Sequence, residues 1–309
     1  MRISVTEPVA LTSPATELAI ELLIDPSREG PIRAELFGPG RLELQARRLA
    51  SACALAPPRR AASPLLRRFE ENGRVLIRVH RRIVEDIVRR EDRGLDAEWL
   101  VDNFHIVEDV LREVRQDLPL GYDEELPKLA DPPARGYPRV HALALALVAH
   151  TDSELDLTRL DHFVAAFQGV APLTIGELWA LPTMLRLVLL ENLRRLADQV
   201  LWVWDERQRA ERWVAEMLGP AEAPVAPTDW HPSLPTLSDP FVVRLIQLLR
   251  DQGTRAAAVF EALDRRLAEH REDANEVLRR EHQRQAANQI SVGNCVISLR
   301  LLSAIDWNA

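Results

Sequence analysis

Apolar residues recur every three or four positions along most of the chain, which places them on one face of an α-helix. Aromatic residues make up 5% of the chain, and this also favours helices over strands. The pattern predicts an all-α fold, an irregular multi-helix bundle of about ten helices. The predicted helices cover residues 14–24, 42–55, 64–94, 96–119, 137–152, 156–168, 174–218, 239–251, 254–269, 272–290 and 291–307.

One long helix is expected near 174–218. Thr174 and Glu177 have the spacing of a capping box, and the apolar pattern continues from there to Leu218. Pro182 lies in the first turns and predicts a kink, because proline removes a helical hydrogen bond. Asp156 is expected to cap the shorter helix that precedes it.

Alanine and leucine alternate in residues 142–147, a spacing that can also indicate a strand. Both residues are strong helix formers, and no β-branched cluster supports a strand. The segment therefore predicts a buried helix.

Residues 219–240 are rich in proline and read as a linker or surface loop. We therefore expect a main helical domain at 1–218 and C-terminal helices at 241–309 that pack on it.

The net charge of −8 argues against nucleic acid as a partner, because phosphate binding requires a concentrated basic surface. No transmembrane segment is expected, since the most apolar stretch, 178–204, holds five charged residues. The N-terminus lacks a basic region before its apolar residues, unlike a secretory signal, and two cysteines suit a reducing compartment. These features predict a cytoplasmic location.

The sequence contains candidate catalytic or binding residues, but none of them forms a complete catalytic or metal-binding motif. His105 and Glu108 stand three residues apart on a predicted helix and could share a ligand or a proton, although a surface role is the commoner fate of such a pair. The turn after this helix carries Tyr122, carboxylates at 123–125 and Lys128, which could bind sugar hydroxyls or simply face solvent.

Seven tryptophans stand out in a chain poor in aromatic residues. They suggest stacking on sugars, but tryptophan at helical spacing is more often part of a core. Nucleotide-binding glycine loops, nucleophile elbows and paired-cysteine metal motifs do not occur.

Several ordered segments resemble the N-terminal region of bacterial cyclic β-1,2-glucan synthases, which are of the glycosyltransferase family 84 type. The segments are ENGRVL (71–76), WLVDNFHIVEDVLREVRQDLP (99–119), GYDEELPKLA (121–130), GYPRVHALALALVAHTDSELD (136–156), LTIGELWALPTMLRLVLLENLRRLA (173–197) and NQISVGNCVISLRLLSAIDW (288–307), with PIRAELFG (31–38) as a weaker match.

The resemblance implies a fragment of a much larger inner-membrane synthase. In such a protein the helical N-terminal region precedes a membrane-embedded transferase that uses UDP-glucose and a divalent metal, and further domains cyclise and trim the glucan. None of the family's known catalytic residues corresponds to a position in this chain. The resemblance therefore implies no cofactor of its own, a place on the cytoplasmic side of the inner membrane, and the remaining synthase domains as partners.

We thus expect a non-catalytic helical module of a cyclic β-1,2-glucan synthase. A glucan-binding or carbohydrate-binding module is the alternative, and a stand-alone glycosidase or metal-dependent hydrolase is a third hypothesis. Catalytic, cofactor and metal residues are not predicted. The residues proposed to contact carbohydrate or a partner are His105, Glu108, Tyr122, Glu125, Lys128 and Trp179.

Overall fold

The structure, a computed structural model, describes residues 30–57, 64–89, 101–117, 122–132, 134–218, 234–250 and 252–305. Within these ranges the chain is all-α, which confirms the predicted fold class, and its β-type pairings are isolated bridges. The helices are α1 (Pro39–Ala52), α2 (Leu65–Arg89), α3 (Phe104–Asp117), α4 (Tyr122–Glu125), α5 (Arg139–His150), α6 (Leu157–Gln168), α7 (Ile175–Leu218), α8 (Asp239–Arg250), α9 (Ala257–Glu269) and α10 (Ala274–Ala304), with a 3₁₀ helix at Gly253–Ala256.

Local signals define several helix starts as predicted. The Asp156 carboxylate accepts a hydrogen bond from the backbone N–H of Arg159 at 2.8 Å and caps α6. The long helix α7 begins after Thr174 and continues through Pro182, where the missing N–H is expected to bend it.

The structure joins two predicted helices into one, and one further predicted helix lies outside the described residues. The apolar and polar stretches on either side of residue 290 form one continuous helix, α10, rather than two. Ser291 is buried within this helix. Gly293 does not end it either, because one glycine in a helix lowers its stability by only about 1 kcal/mol relative to alanine. The helix predicted at 14–24 lies outside the described residues.

The chain divides into two compact units, whose boundaries fall inside α2, α7 and α10 and at the start of α3. Unit 1 comprises the described residues of Met1–Val75, Phe104–Arg195 and Asn294–Ala309. All twelve residues of α5 are buried in it, which confirms the buried helix predicted from the alanine and leucine pattern. Fully buried residues on its other helices include Phe163 and Phe167 on α6 and Met184 and Leu185 on α7.

Unit 2 comprises the described residues of Leu76–Asn103 and Leu196–Gly293. Its core joins the end of α7 to the helices that follow, and Trp213 is buried there, as expected of a tryptophan at helical spacing. The cluster also contains Phe241, Leu245 and Leu249 of α8, Val259 and Leu263 of α9, and Val277 of α10. The predicted boundary at 219–240 stays a prediction, and residues 219–233 are not among those described.

A short non-helical region of unit 1 lies beside the start of α7. Leu55 forms an antiparallel bridge with Leu129, and Lys128 forms one with Pro138. The backbone N–H of Ala130 donates to the carbonyl of Ala54 at 2.9 Å. These pairings hold the segment after α4 against the segment after α1.

None of the helices in the described part of the chain combines the length and the apolar character that crossing a bilayer requires.

Candidate functional site

His105 and Glu108 lie exposed in the first turns of α3. The turn that carries Tyr122, Glu125 and Lys128 follows the opposite end of the helix, at Asp117. With a rise of about 1.5 Å per residue, Glu108 is about 13 Å from Asp117 along the axis. This distance separates the pair from the end of α3, where the chain leaves the helix toward the carboxylates at 123–125.

The residues of the turn differ in their exposure. Tyr122 begins α4, and Glu125 at its end is exposed. Lys128, the only lysine in the chain, is buried at 9% exposure, with its backbone held in the bridge to Pro138. Its side chain therefore offers little surface to a ligand.

Trp179 is exposed on the second turn of α7 and retains 66% of its accessible surface. Ile175 and Leu178 are also exposed, and the three residues share one face of the helix because they are spaced by three and four positions. Gly176 lies over Leu126, since a Cβ added at the glycine would stand 3.9 Å from Leu126 Cδ2. The candidates Glu125, Lys128 and Trp179 thus belong to one end of unit 1.

The start of α7 is fixed by two sets of hydrogen bonds. Thr174 and Glu177 form the predicted capping box: the Thr174 N–H donates to the Glu177 carboxylate at 2.9 Å, and the Glu177 N–H donates to the Thr174 hydroxyl at 3.2 Å. The same carboxylate accepts two bonds from the Arg139 guanidinium, at 2.9 and 2.7 Å. Arg139 also donates to the carbonyl of Pro172 at 3.0 Å. Both charged side chains are buried.

A buried ionic cluster on α7 was not predicted as a site. Arg68 donates two hydrogen bonds to the Glu191 carboxylate, and Arg195 donates to the same carboxylate at 2.5 Å. Burial alone would raise the pKa of Glu191, but the hydrogen bonds and charges of the two arginines hold it at about 2. Charged residues inside the apolar stretch 178–204 were the signal that could have revealed the cluster.

His141 of α5 adjoins this cluster and is buried. Burial lowers its pKa to about 4, with the Glu191 charge opposing that shift and the Arg68 charge adding to it. Its Nδ1 has no hydrogen-bond partner among the described residues. The imidazole is therefore neutral near pH 7. The cluster joins Arg68 of α2 to Glu191 and Arg195 of α7, and it thereby links two helices of unit 1.

A shallow pocket of about 380 Å³ lies between α1 and α6. Glu43, Arg47 and His162 form its polar side, and the remaining lining residues are Ala165, Ala166, Gly169 and Val170. Arg47 pairs with Glu43 at 3.1 Å, and His162 Nδ1 lies 4.0 Å from the same carboxylate. These polar groups are largely matched to one another.

The sugar nucleotide and the divalent metal that the resemblance implies are expected on other regions of such a synthase. No group of three or more His, Cys, Asp or Glu side chains that could hold a metal occurs in the described ranges. The expectation that the chain carries no cofactor of its own stays a prediction.

The comparisons with known proteins agree with the resemblance. No family model matches the chain. The chain is similar to the cyclic β-(1,2)-glucan synthase NdvB of Rhizobium meliloti (strain 1021), with 34% identity over 241 residues. The aligned part covers 78% of this chain and 8% of that synthase. The chain is therefore related to one segment of a cyclic β-(1,2)-glucan synthase, and it spans a small part of that protein's length.

Proposed function

We propose that the chain is a non-catalytic helical module of a cyclic β-(1,2)-glucan synthase. UDP-glucose-dependent synthesis and cyclisation would be carried out by other regions of such a protein, at the cytoplasmic side of the inner membrane. The observation that carries the proposal is the 34% identity to NdvB, confined to 8% of that synthase.

The distribution of the candidate side chains supports a structural role. Acid–base catalysis requires its groups within hydrogen-bonding reach of one substrate. His105 and Glu108 lie in the first turns of α3, whereas Glu125 follows the other end of that helix. The buried charges of unit 1 pair with one another, as in Arg139 with Glu177. The stand-alone hydrolase hypothesis would require these scattered groups to converge.

A segment exchange tests the proposal. This chain would replace the matching segment of NdvB, and cyclic glucan would be measured from radiolabelled UDP-glucose with a divalent metal. We expect glucan from the exchanged synthase and none from the isolated chain. Glucosyl transfer by the isolated chain would overturn the non-catalytic role. An exchanged synthase that is stable but inactive, together with an active unexchanged control, would overturn the proposed membership in the enzyme.

Glucan binding remains a second candidate function because of Trp179, whose exposed ring could stack on a pyranose face. Titration calorimetry with linear and cyclic β-1,2-glucans would test it, with Trp179→Ala as the comparison. Binding that disappears in this variant supports a carbohydrate module. Absence of heat at millimolar sugar contradicts it.

A further inference from the structure

One exposed stretch of unit 1 lacks charged side chains on its surface. Charged residues make up 28% of the sequence, yet between His162 and Arg186 the only one is Glu177. Glu177 is completely buried and paired with Arg139. The surface formed by these residues is therefore uncharged, and it includes exposed positions in the loop before α7.

The first turns of α7 concentrate the apolar part of this surface. Ile175 is 76% exposed, Trp179 is 66% exposed and Leu178 is 38% exposed. We call these three residues the α7 apolar patch. Single exposed apolar residues are ordinary on a protein, whereas three that adjoin form a contiguous apolar patch, a feature found at interaction sites.

The two polar side chains at the start of α7, beside the patch in sequence, are occupied. The Thr174 hydroxyl and the Glu177 carboxylate bond to each other, and the carboxylate also accepts from Arg139. A sugar needs hydrogen-bond partners for its hydroxyls beside a stacking ring, whereas Ile175 and Leu178 offer only aliphatic surface. The patch therefore suits an uncharged apolar protein surface better than a glucan.

The size of the patch indicates how such a partner is held. Three side chains expose a few hundred Å² at most, while a stable complex between separate proteins buries about 800 Å² on each partner. A small contact suffices when both surfaces belong to one polypeptide, because the linkage raises their effective concentration. The aligned part of the chain corresponds to 8% of NdvB, so nearly all of that synthase lies outside it.

We infer that the α7 apolar patch docks an uncharged apolar segment of the same synthase polypeptide, located outside the matched region. This inference rests on the proposed function. It names the surface through which the module contacts its neighbour.

Cysteine accessibility tests the inference in the exchanged synthase. Trp179→Cys would be introduced into the isolated chain and into NdvB carrying this chain, and maleimide labelling rates would be compared. We expect labelling to slow by about tenfold or more in the synthase, because docking excludes the reagent from the contact. The native Cys53 and Cys295 contribute little background, since burial raises the pKa of the Cys53 thiol to about 11 and that of Cys295 to about 12.

Leu157 provides a matched control. It is the first residue of α6, as Ile175 is of α7, and it is 51% exposed. The Leu157→Cys variant should label at the same rate in both proteins. A second pair of variants adds Ile175→Glu or Leu157→Glu to the exchanged synthase that carries Trp179→Cys. Ile175→Glu should make maleimide labelling of the cysteine faster, and Leu157→Glu should leave its rate unchanged. A glutamate in a first helical turn favours the helix, so neither change should unfold the module.

A photoreactive amino acid at position 179 identifies the occupant. Crosslinks to a synthase peptide outside the matched segment support the inference. Equal labelling of Trp179→Cys in both proteins, or crosslinks only to glucan or to a second copy, would overturn it. Absence of protection at the Trp179→Cys site in an exchanged synthase that still makes glucan refutes this inference alone, whereas an inactive exchanged synthase with the wild-type patch refutes the proposed function.

Discussion

Arg139 and Glu177 form a buried, doubly hydrogen-bonded ion pair between α5 and the first turn of α7, although 38 positions separate them in the chain. Both side chains are almost inaccessible to water. Because Arg139 also bonds to Pro172 and Glu177 also caps the helix, the pair sets where α7 begins. The α7 apolar patch depends on this arrangement for its position.

The Glu177→Ala variant should be strongly destabilised. It would leave the Arg139 guanidinium buried without its counter-charge and would remove one half of the capping box. Breaking a buried pair from one side typically costs about 3–5 kcal/mol. Urea denaturation followed by circular dichroism measures the loss.

Glu70 and Arg115 provide the matched control for this substitution. They also form a double hydrogen bond, at 3.0 and 3.3 Å, but both side chains are about half exposed. The Glu70→Ala variant should lose less than about 1 kcal/mol, because solvent screens exposed pairs. Equal losses for the two variants would contradict the importance assigned to burial.

The two contacts of Glu177 show how far sequence reasoning reaches. The capping box with Thr174 is a local signal and was predicted from spacing alone. Arg139 lies on another helix, and no periodic pattern relates positions so far apart. Such a pairing depends on how α5 packs against α7, which local propensity does not specify.

The candidate site shows the same limit. Lys128 has the chemistry of a surface residue, yet it is buried where it forms one bridge with Pro138 and adjoins the bridge at Leu129. Trp179 is exposed and Trp213 is buried, although both lie on α7. The exposure of a side chain depends on which other elements pack on its face of the helix. The sequence of the helix alone does not specify those neighbours.

Stability should fall in acid because of Glu191. Its folded pKa of about 2 lies below its ordinary value of 4.5, so its contribution is present above about pH 4.5 and is lost as the pH falls toward 2. Between pH 5 and pH 3 we expect a loss of about 2 kcal/mol from this group. Urea titrations at a series of pH values would measure the slope.

The Glu191→Gln variant separates this effect from general acid denaturation. It should be less stable at pH 7, because Arg68 and Arg195 lose their charged partner. Its stability should also vary less between pH 5 and pH 3. A variant as acid-sensitive as the wild type would exclude Glu191 as the cause.

His141 should make a separate contribution at higher pH. Its pKa is lowered from 6.5 to about 4 by burial, so the folded protein keeps the imidazole neutral while the unfolded chain protonates it. The stabilisation is complete above about pH 6.5 and declines as the pH falls toward 4, by about 2 kcal/mol between pH 7 and pH 5. NMR of labelled histidine should show one ring, absent from the His141→Gln spectrum, that is still neutral at pH 5. A ring at this position that titrates near 6.5 would show that water reaches it.

The two cysteines should resist alkylation while the protein is folded. Burial raises the pKa of Cys53 to about 11 and that of Cys295 to about 12, above the ordinary value of 9.0. Near pH 8 the reactive thiolate is then at least about a hundredfold scarcer than in an ordinary thiol. Iodoacetamide labelling followed by mass spectrometry should find both thiols unmodified in the native protein and both modified in concentrated guanidinium chloride.

The Glu177→Ala variant should label faster than the wild type at both cysteines, because its lower stability populates the unfolded state more often. Faster labelling of Cys53 alone would instead indicate local opening beside Arg139 and Glu177, the two charged groups that act on the Cys53 thiol.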